Sequence, residues 1–315
     1  MGGIFVEDRI EIINLIQTKQ FLEKQLYALA YGTVEVREHN SNKYIYVHYR
    51  EDGIALTKYV GEYSDELYNL ILNNNIKAKE IKKQIKDITK KLRSLNYIEK
   101  DLDDKVELNI DFAKRHLVDT IYKQAILEGV ATTFADTESI IEGGRVNDMT
   151  ADDILKIVNL KHAWEFILNK DVISSDTNFA LLCEINKIVE DKFYYTAGKV
   201  RSVPVSIGGT KWIPELPIEN VIRENLQEIL DKDIDDVDKA IELLLYTMKK
   251  QVFIDGNKRT SVIFSNHYLI SKGKGIIAIP VDLTETFKNL LIPYYEGKDE
   301  TEIRKFMKEK CYISI

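Results

Sequence analysis

The 315-residue chain is poor in the residues that most often betray a function. Its two cysteines, Cys183 and Cys311, are too few and too far apart for a disulfide framework or a thiolate metal site, and they read as buried thiols. The five histidines, His39, His48, His116, His162 and His267, show no i,i+4 or comparable ligand spacing, so no zinc site is expected. Five prolines and 15 glycines are spread through the chain, which excludes collagen-like, proline-rich and low-complexity classes. No apolar run approaches the roughly 18 residues of a membrane span. Met1 to Asp8 is too short and too acidic for a secretion signal, and Met-Gly-Gly-Ile-Phe-Val lacks the Ser or Thr of a myristoylation signal. The expectation is a cytoplasmic protein with no membrane partner.

What is present is ordinary in amount and uneven in placement. With 44% hydrophobic and 30% charged residues the chain has ample material for a core, and its length predicts about two domains. The net charge is -7, yet between Ile76 and Lys100 nine Lys/Arg stand against three Asp/Glu. That basic stretch belongs to one long helix. Leu67, Ile71, Asn74, Ala78, Ile81, Ile85, Ile88, Leu92 and Leu95 recur in alternating steps of four and three, the heptad seam of a coiled coil. Ser64 supplies an N-cap and Asp65 and Glu66 the first-turn acids. A polar Asn74 in the seam favours one register or one partner, which makes a homodimer through this helix an expectation. The lysines read as a solvated flank; a nucleic-acid or acidic-partner face is the alternative.

Before that helix, Val6 to Ala30 has helical periodicity through Ile10, Ile13, Leu22, Leu26 and Leu29. Thr33 to Arg37, Lys43 to Arg50 and Ile54 to Val60 read as three short strands, the last two joined by Glu51-Asp52-Gly53. The alternation in Tyr44-Ile45-Tyr46-Val47-His48-Tyr49 predicts a half-buried sheet whose tyrosines fill a small core, or serve as a stacking platform for nucleic acid. Residues 1–104 are therefore expected to form an N-terminal region of helix, three-stranded meander and long helix.

Residues 105–315 read as mainly α. Helices are predicted at Leu117 to Gly129, Ala151 to Asn169, Asp176 to Asp191, Glu219 to Leu230, Asp235 to Lys250, Arg259 to Lys272, Leu283 to Glu296 and Glu300 to Lys310. The interruption at 198–217 contains Val203, Pro204, Val205, Ser206, Ile207, Gly208, Gly209, Thr210, Lys211 and Trp212, which predict a β-hairpin with a two-glycine turn. Between the fifth and sixth of these helices lies Gln251-Val-Phe253-Ile-Asp255-Gly256-Asn257-Lys258-Arg259-Thr260. A loop of Asp, Gly and Asn that opens into a helix points several backbone N–H groups at one spot, where the helix dipole also favours negative charge. Asp255 is placed to hold magnesium on bound phosphates, and Lys258 and Arg259 to neutralise them, with Phe253 as the core anchor. The same residues also suit a plain helix-loop-helix turn with solvated charges.

The loop resembles the signature of the Fic-domain (Fido) proteins, His-x-Phe-x-Asp/Glu-Gly-Asn-Gly/Lys-Arg. Ala197-Gly198 through Trp212 resembles that family's flap hairpin, and Ser139-Ile-Ile-Glu142-Gly143, within a segment near 130–145, its inhibitory-helix motif. The resemblance implies a helical Fic core with a β-hairpin flap over 105–315. It implies that the signature loop 251–259 binds ATP or a related nucleotide with magnesium, and that the leading histidine takes the proton of a Ser, Thr or Tyr hydroxyl on a target protein, which receives AMP or, in Doc-like members, phosphate. Asp255 is then the magnesium residue, Gly256 and Asn257 the anion hole, Lys258 and Arg259 phosphate partners, and Val203 to Trp212 the flap that aligns the target as an added strand.

Three positions depart from the signature. Gln251 stands in the histidine's place, and a neutral amide accepts no proton at ordinary pH. Since a general base contributes about a hundred- to ten-thousandfold, transfer is expected to be slow or absent. Lys258 stands where AMP-transferring members have a second glycine, as in the Doc-like Asn-Lys-Arg-Thr. Val262 replaces the second arginine, the usual partner of the inhibitory glutamate, so a Glu142 that reaches the pocket has Arg259 or Lys258 to pair with, and is otherwise a structural carboxylate. Three functions stay open: a Fic-type transferase acting on protein hydroxyls, a catalytically inactive nucleotide- or phospholigand-binding module, and a DNA-associated regulator using the basic helix and the tyrosine sheet.

Overall fold

The computed structural model describes residues 6–39, 42–51, 54–95, 97 and 102–315. The start of the chain, expected above to carry no leader, and the Asp52–Gly53 turn fall partly or wholly outside them. The chain divides into two compact units, Met1–Ile98 and Glu99–Ile315. Among the described residues no helix is long and apolar enough to cross a membrane.

The first unit is built from α1 (Val6–Ala28), an antiparallel meander of β1 (Thr33–His39), β2 (Asn42–Glu51) and β3 (Ile54–Glu62) in the order β1-β2-β3, and α2 (Asp65–Ser94). Strand alternation puts Ile45 and Val47, 0% and 1% exposed, on the face that packs on Ile71 of α2. Tyr46 takes the opposite face, 5.5 Å from Tyr59, with the Arg37 guanidinium 4.4 Å above its ring. Ser64 caps α2 as expected, its Oγ accepting from the Leu67 amide at 3.1 Å.

The heptad seam of α2 is used within the chain. α1 packs along α2, burying Ile12, Ile13, Ile16 and Leu22, while Ile10 is left 42% exposed. Asn74, the polar seam residue, donates to the Ala30 carbonyl at 3.1 Å, and Asn75 both accepts from the Gly32 N–H at 2.7 Å and donates to its carbonyl at 3.0 Å. The seam residue Asn74 and its neighbour Asn75 thus fix the turn between α1 and β1. Gly32 is required there, because a Cβ would lie 2.4 Å from the His48 carbonyl oxygen.

The second unit contains α3 (Asp104–Arg115), α4 (Leu117–Leu127), α5 (Phe134–Ile141), α6 (Ala151–Ile167), α7 (Lys170–Ile173), α8 (Phe179–Val189), α9 (Glu219–Asp231), α10 (Asp236–Lys250) and α11 (Asn257–Ser271). After these come β4 (Ile276–Ile277), α12 (Thr284–Tyr295), α13 (Thr301–Phe306) and β5 (Tyr312–Ile313), the two strands pairing antiparallel. Helix α3 lies before the first helix the periodicity predicted here. α11 is the central element, packed against α10, α8, α6 and α3 and buried along nearly its whole length.

A helix buried on every side must satisfy its polar side chains locally. Asn266 donates to the Val262 and Ile277 carbonyls and accepts from the Ile277 N–H, which ties β4 to the core. His267, fully buried, lies 2.9 Å from both the Thr177 hydroxyl and the Val172 carbonyl, and burial pushes its pKa down to about 4. It is a neutral core residue. Burial likewise pushes the thiols of Cys183 and Cys311 up to about 12, leaving them inert.

The flap segment turns at Gly208–Gly209, with Gly209 at φ +86°, but its two arms form no strand ladder. Pro204 lacks an N–H, and the arms are pinned from outside instead. Arg201, 3% exposed, donates to the carbonyls of Val203, Pro214 and Glu215, and Thr210 donates to Glu296 at 2.8 Å. The hairpin expectation therefore holds for the reversal and not for the pairing.

Candidate functional site

The site begins where α10 stops. Gln251 takes a left-handed conformation, φ 44°, uncommon for a residue with a side chain, and its Nε2 returns to donate to the Met248 carbonyl at 2.7 Å. Its Oε1 accepts from Asn257 Nδ2 at 3.2 Å. Both ends of the amide are thus engaged within the loop. Arg201 donates from Nε to the Gln251 carbonyl at 2.6 Å, so the residue that pins the flap also pins the signature loop.

Phe253 is buried, as expected of the loop's anchor. Asn257 closes the loop around it, accepting from the Phe253 N–H at 3.0 Å and donating to the Phe253 carbonyl at 2.8 Å. The Asn257 side chain is spent on the loop itself. Gly256, φ +71°, has no room for a side chain, because a Cβ would stand 2.3 Å from Glu190 Oε1. Asn186 braces the loop from behind, donating to the Asp255 carbonyl and the Thr260 hydroxyl and accepting from the Gly198 N–H.

α11 then opens without a side-chain cap, so its first amides have no partner within the helix. The first turn is held from below by Gln124, which donates to the Arg259 carbonyl at 2.8 Å and accepts from the Trp164 indole at 3.0 Å. Arg259, 3% exposed, has Nη2 at 2.9 Å from Glu190 Oε1 and 3.7 Å from Asp255 Oδ1, and Nε at 3.4 Å from Glu128 Oε2. Lys258 Nζ lies 3.4 Å from Glu128 Oε1.

These contacts are close in charge and poor in hydrogen bonding. Arg259 Nε and Nη1, Glu128 Oε1 and Glu190 Oε1 are buried with no hydrogen-bond partner, as is the Tyr295 hydroxyl; Tyr246 supplies the one other such atom among the described residues. The 2.9 Å approach of Arg259 to Glu190 is a charge contact whose N–H is not aimed at the oxygen. Buried polar groups in folded proteins are nearly always met, so a cluster of unmet ones around one arginine marks a place built for something else to bind. Burial pushes Glu190 up to about 7; Arg259 opposes this and the charges of Asp255 and Glu128 add to it.

Asp255 is half exposed, its Oδ1 accepting from the Gly256 N–H at 2.6 Å. No group of three or more metal-ligating side chains occurs among the described residues. The donor set fits a magnesium ion that arrives on phosphates and gains one carboxylate, and does not fit a resident metal. Val262 is packed in the core, 2% exposed.

Gln251, Asp255, Gly256, Asn257, Lys258 and Arg259 are thus brought together, with the flap's base bound to the same loop. Glu142 is not brought to them. It caps the C-terminus of α5, its N–H on the Glu138 carbonyl, and the acids that meet Lys258 and Arg259 are Glu128 and Glu190. Neither had a sequence signal, since each is a glutamate at a helix end that only its burial distinguishes. Arg201 and Asn186 were likewise unmarked.

Residues 176–269, from the start of α8 nearly to the end of α11, match the family model of the Fic/DOC family. No curated protein matches the chain. Among solved structures, Fic-1 (residues 134–508) from C. elegans superposes with a TM-score of 0.51 at 16% identity, over 78% of this chain and 77% of that one. A Fic domain containing signaling protein from Bacteroides thetaiotaomicron gives 0.50 at 18% identity, over 65% and 79%. A Fic family protein from Desulfovibrio desulfuricans G20 gives 0.51 at 15%, over 66% and 72%. At such identities the likeness establishes the fold. The family match covers the signature loop and the central helix, so the Glu99–Ile315 unit resembles the Fic/DOC family over residues 176–269 and shares its fold with these Fic proteins.

Proposed function

We propose that the Glu99–Ile315 unit binds ATP or a related nucleotide with magnesium and transfers AMP or phosphate to a protein hydroxyl, at a rate lowered by the loss of the histidine base. The observation that carries this reading is Arg259: a buried guanidinium with two unmet N–H edges beside an uncapped helix N-terminus is a phosphate site in need of its phosphate. Gly256 lets the ligand reach the amides, Lys258 adds a second cation, and Asp255 would hold magnesium, which supplies charge neutralisation on the phosphates.

In AMP transfer the target's hydroxyl oxygen attacks the α-phosphorus, a new P–O bond forms, and pyrophosphate leaves with the electrons of the broken bond. The hydroxyl proton goes to water, because Gln251 accepts none. In phosphate transfer the attack is at the γ-phosphorus and ADP leaves. Incubation with magnesium and ATP followed by intact-mass measurement on the protein and on candidate targets distinguishes the two additions. Nucleotide binding measured by calorimetry with no addition on any target removes the transferase reading.

A second reading, a nucleotide- or phospholigand-binding module without catalysis, is favoured by one observation. Gln251 spends one N–H on the Met248 carbonyl and one oxygen lone pair on Asn257, which commits its amide to holding the loop rather than to orienting a hydroxyl or a water.

A further inference from the structure

The outer face of the meander in the first unit has no part in that unit's small core. Strand alternation turns Ile45 and Val47 inward and Tyr44, Tyr46 and His48 outward, and the register places Tyr46 opposite Glu35 of β1 and Tyr59 of β3. Three tyrosines meet there. The ring of Tyr59, a residue 52% exposed, has its centroid 5.5 Å from that of Tyr46 and 6.2 Å from that of Tyr44, with interplanar angles of 57° and 54°. Tyr44 and Tyr46 are half-buried. Among the described residues none of the three hydroxyls has a hydrogen-bond partner.

The charges on this face are met locally. Arg37, whose guanidinium lies 4.4 Å above the Tyr46 ring, is paired with Glu35 at 2.8 Å, and His48 spans Glu35 and the Thr57 hydroxyl at 2.7 and 2.8 Å. Glu62, opposite Tyr44, adds a carboxylate, while Lys43 and Lys58 fall on the inward positions of their strands.

These features choose among the ligands that stack on aromatic rings. A single-stranded nucleic acid needs cations for its phosphates and open ring faces for its bases. Here the one arginine is neutralised, a carboxylate stands at the Tyr44 end, and Tyr46 is covered on one face. An extended proline-rich segment needs neither cations nor flat open rings. Its pyrrolidine rings seat between tilted aromatic side chains, and its carbonyls, unpaired within the polyproline II helix, accept from outward hydroxyls. Two of its residues rise about 6.2 Å, at about 3.1 Å each, close to the 5.5 and 6.2 Å between these rings.

We propose that the outer face of the meander is a docking surface for a proline-rich segment of a partner protein, with prolines seated in the two grooves that Tyr59 forms with Tyr44 and with Tyr46, and with the tyrosine hydroxyls donating to its carbonyls. The inference stands on the first unit alone and is independent of the nucleotide reading, so either can fail without the other.

Fluorescein-labelled decaproline, a ten-residue Gly/Ser peptide and a ten-nucleotide oligothymidylate are titrated with the full chain and followed by fluorescence anisotropy at low and moderate salt. Wild type should bind decaproline at least about tenfold more tightly than the Gly/Ser peptide, with little change between the two salt concentrations. Tyr59→Ala should weaken that binding about tenfold or more. Tyr59→Phe, which keeps the ring and removes one hydroxyl, should weaken it about three- to tenfold. No preference for decaproline over the Gly/Ser peptide, or unchanged binding in Tyr59→Ala, overturns the proposal. Tighter binding of the oligothymidylate that falls steeply with salt overturns it in favour of a nucleic-acid face, and a dimer in sedimentation velocity that Tyr59→Ala dissociates overturns it in favour of a second copy. Circular dichroism checks that Tyr59→Ala is folded; should it not be, Tyr59→Phe carries the test, and equal affinity in that variant overturns the proposal.

Discussion

If the site transfers AMP or phosphate as proposed, Gln251 limits its rate. Its amide is held by Met248 and Asn257, and it has no basic atom to take a proton. Gln251→His should raise or create transfer, by up to about a hundred- to ten-thousandfold if the imidazole is free to act; an intact-mass time course with magnesium and ATP reads the result, and an unchanged rate would show that another step limits the site. Glu190 makes a separate prediction. With its pKa raised to about 7 in the folded protein against an ordinary 4.5, the folded state keeps a proton that the unfolded chain releases. The stability this contributes is fully present below about pH 4.5 and is lost as pH rises through 7, to an extent of about 3 kcal/mol at most. Tm should therefore rise as pH is lowered from 8 to 5 in wild type relative to Glu190→Gln, in which that difference is removed. Gly256→Ala places a methyl 2.3 Å from Glu190 Oε1 at a positive φ, and should abolish ligand binding while costing on the order of 2 kcal/mol by denaturant titration.

At the scale of the element, two connections between segments carry the architecture of the site. Arg201 ties the signature loop to the flap by donating to four carbonyls, those of Gln251, Val203, Pro214 and Glu215. Arg201→Ala leaves those acceptors unmet in a buried place, so it should cost about 3 kcal/mol and expose the 203–213 segment to limited proteolysis while leaving α11 protected from hydrogen exchange. The hairpin pattern of that segment was legible from its glycines. Its missing ladder was not, because Glu296 and Tyr295, which hold one arm, lie at the end of α12, and Arg201 binds carbonyls of both arms instead of leaving them to pair. In the first unit, Asn75→Ala removes both hydrogen bonds to the Gly32 backbone and should cost about 1 to 2 kcal/mol. The heptad period of α2 was plain in the sequence, and so was the polar break at Asn74. Which helix fills the seam was not, since period alone does not distinguish α1 of the same chain from a second copy.

At the scale of the whole molecule, both tryptophans belong to the Glu99–Ile315 unit, whereas helix is present in both units. The meander of Met1–Ile98 has a small core around Ile45, Val47 and Ile71. Unfolding by guanidinium followed by tryptophan emission should report the larger unit alone and occur at higher denaturant than the far-ultraviolet dichroism midpoint; coincident curves would mean that the two units unfold as one. The sequence by itself determined the division into a helix–meander–helix region and a helical region, the signature loop, the glycine turn of the flap and the absence of the histidine. All of these are local: periods, caps and turn residues act over a few positions along the chain. Only the tertiary structure decided what meets Arg259. Glu128 and Glu190 reach it from the ends of two different helices, and Gln124, which holds its carbonyl, lies 135 residues away. A glutamate at a helix end looks alike in sequence whether water or a buried guanidinium surrounds it, and desolvation, which separates the two, exists only once the helices have packed.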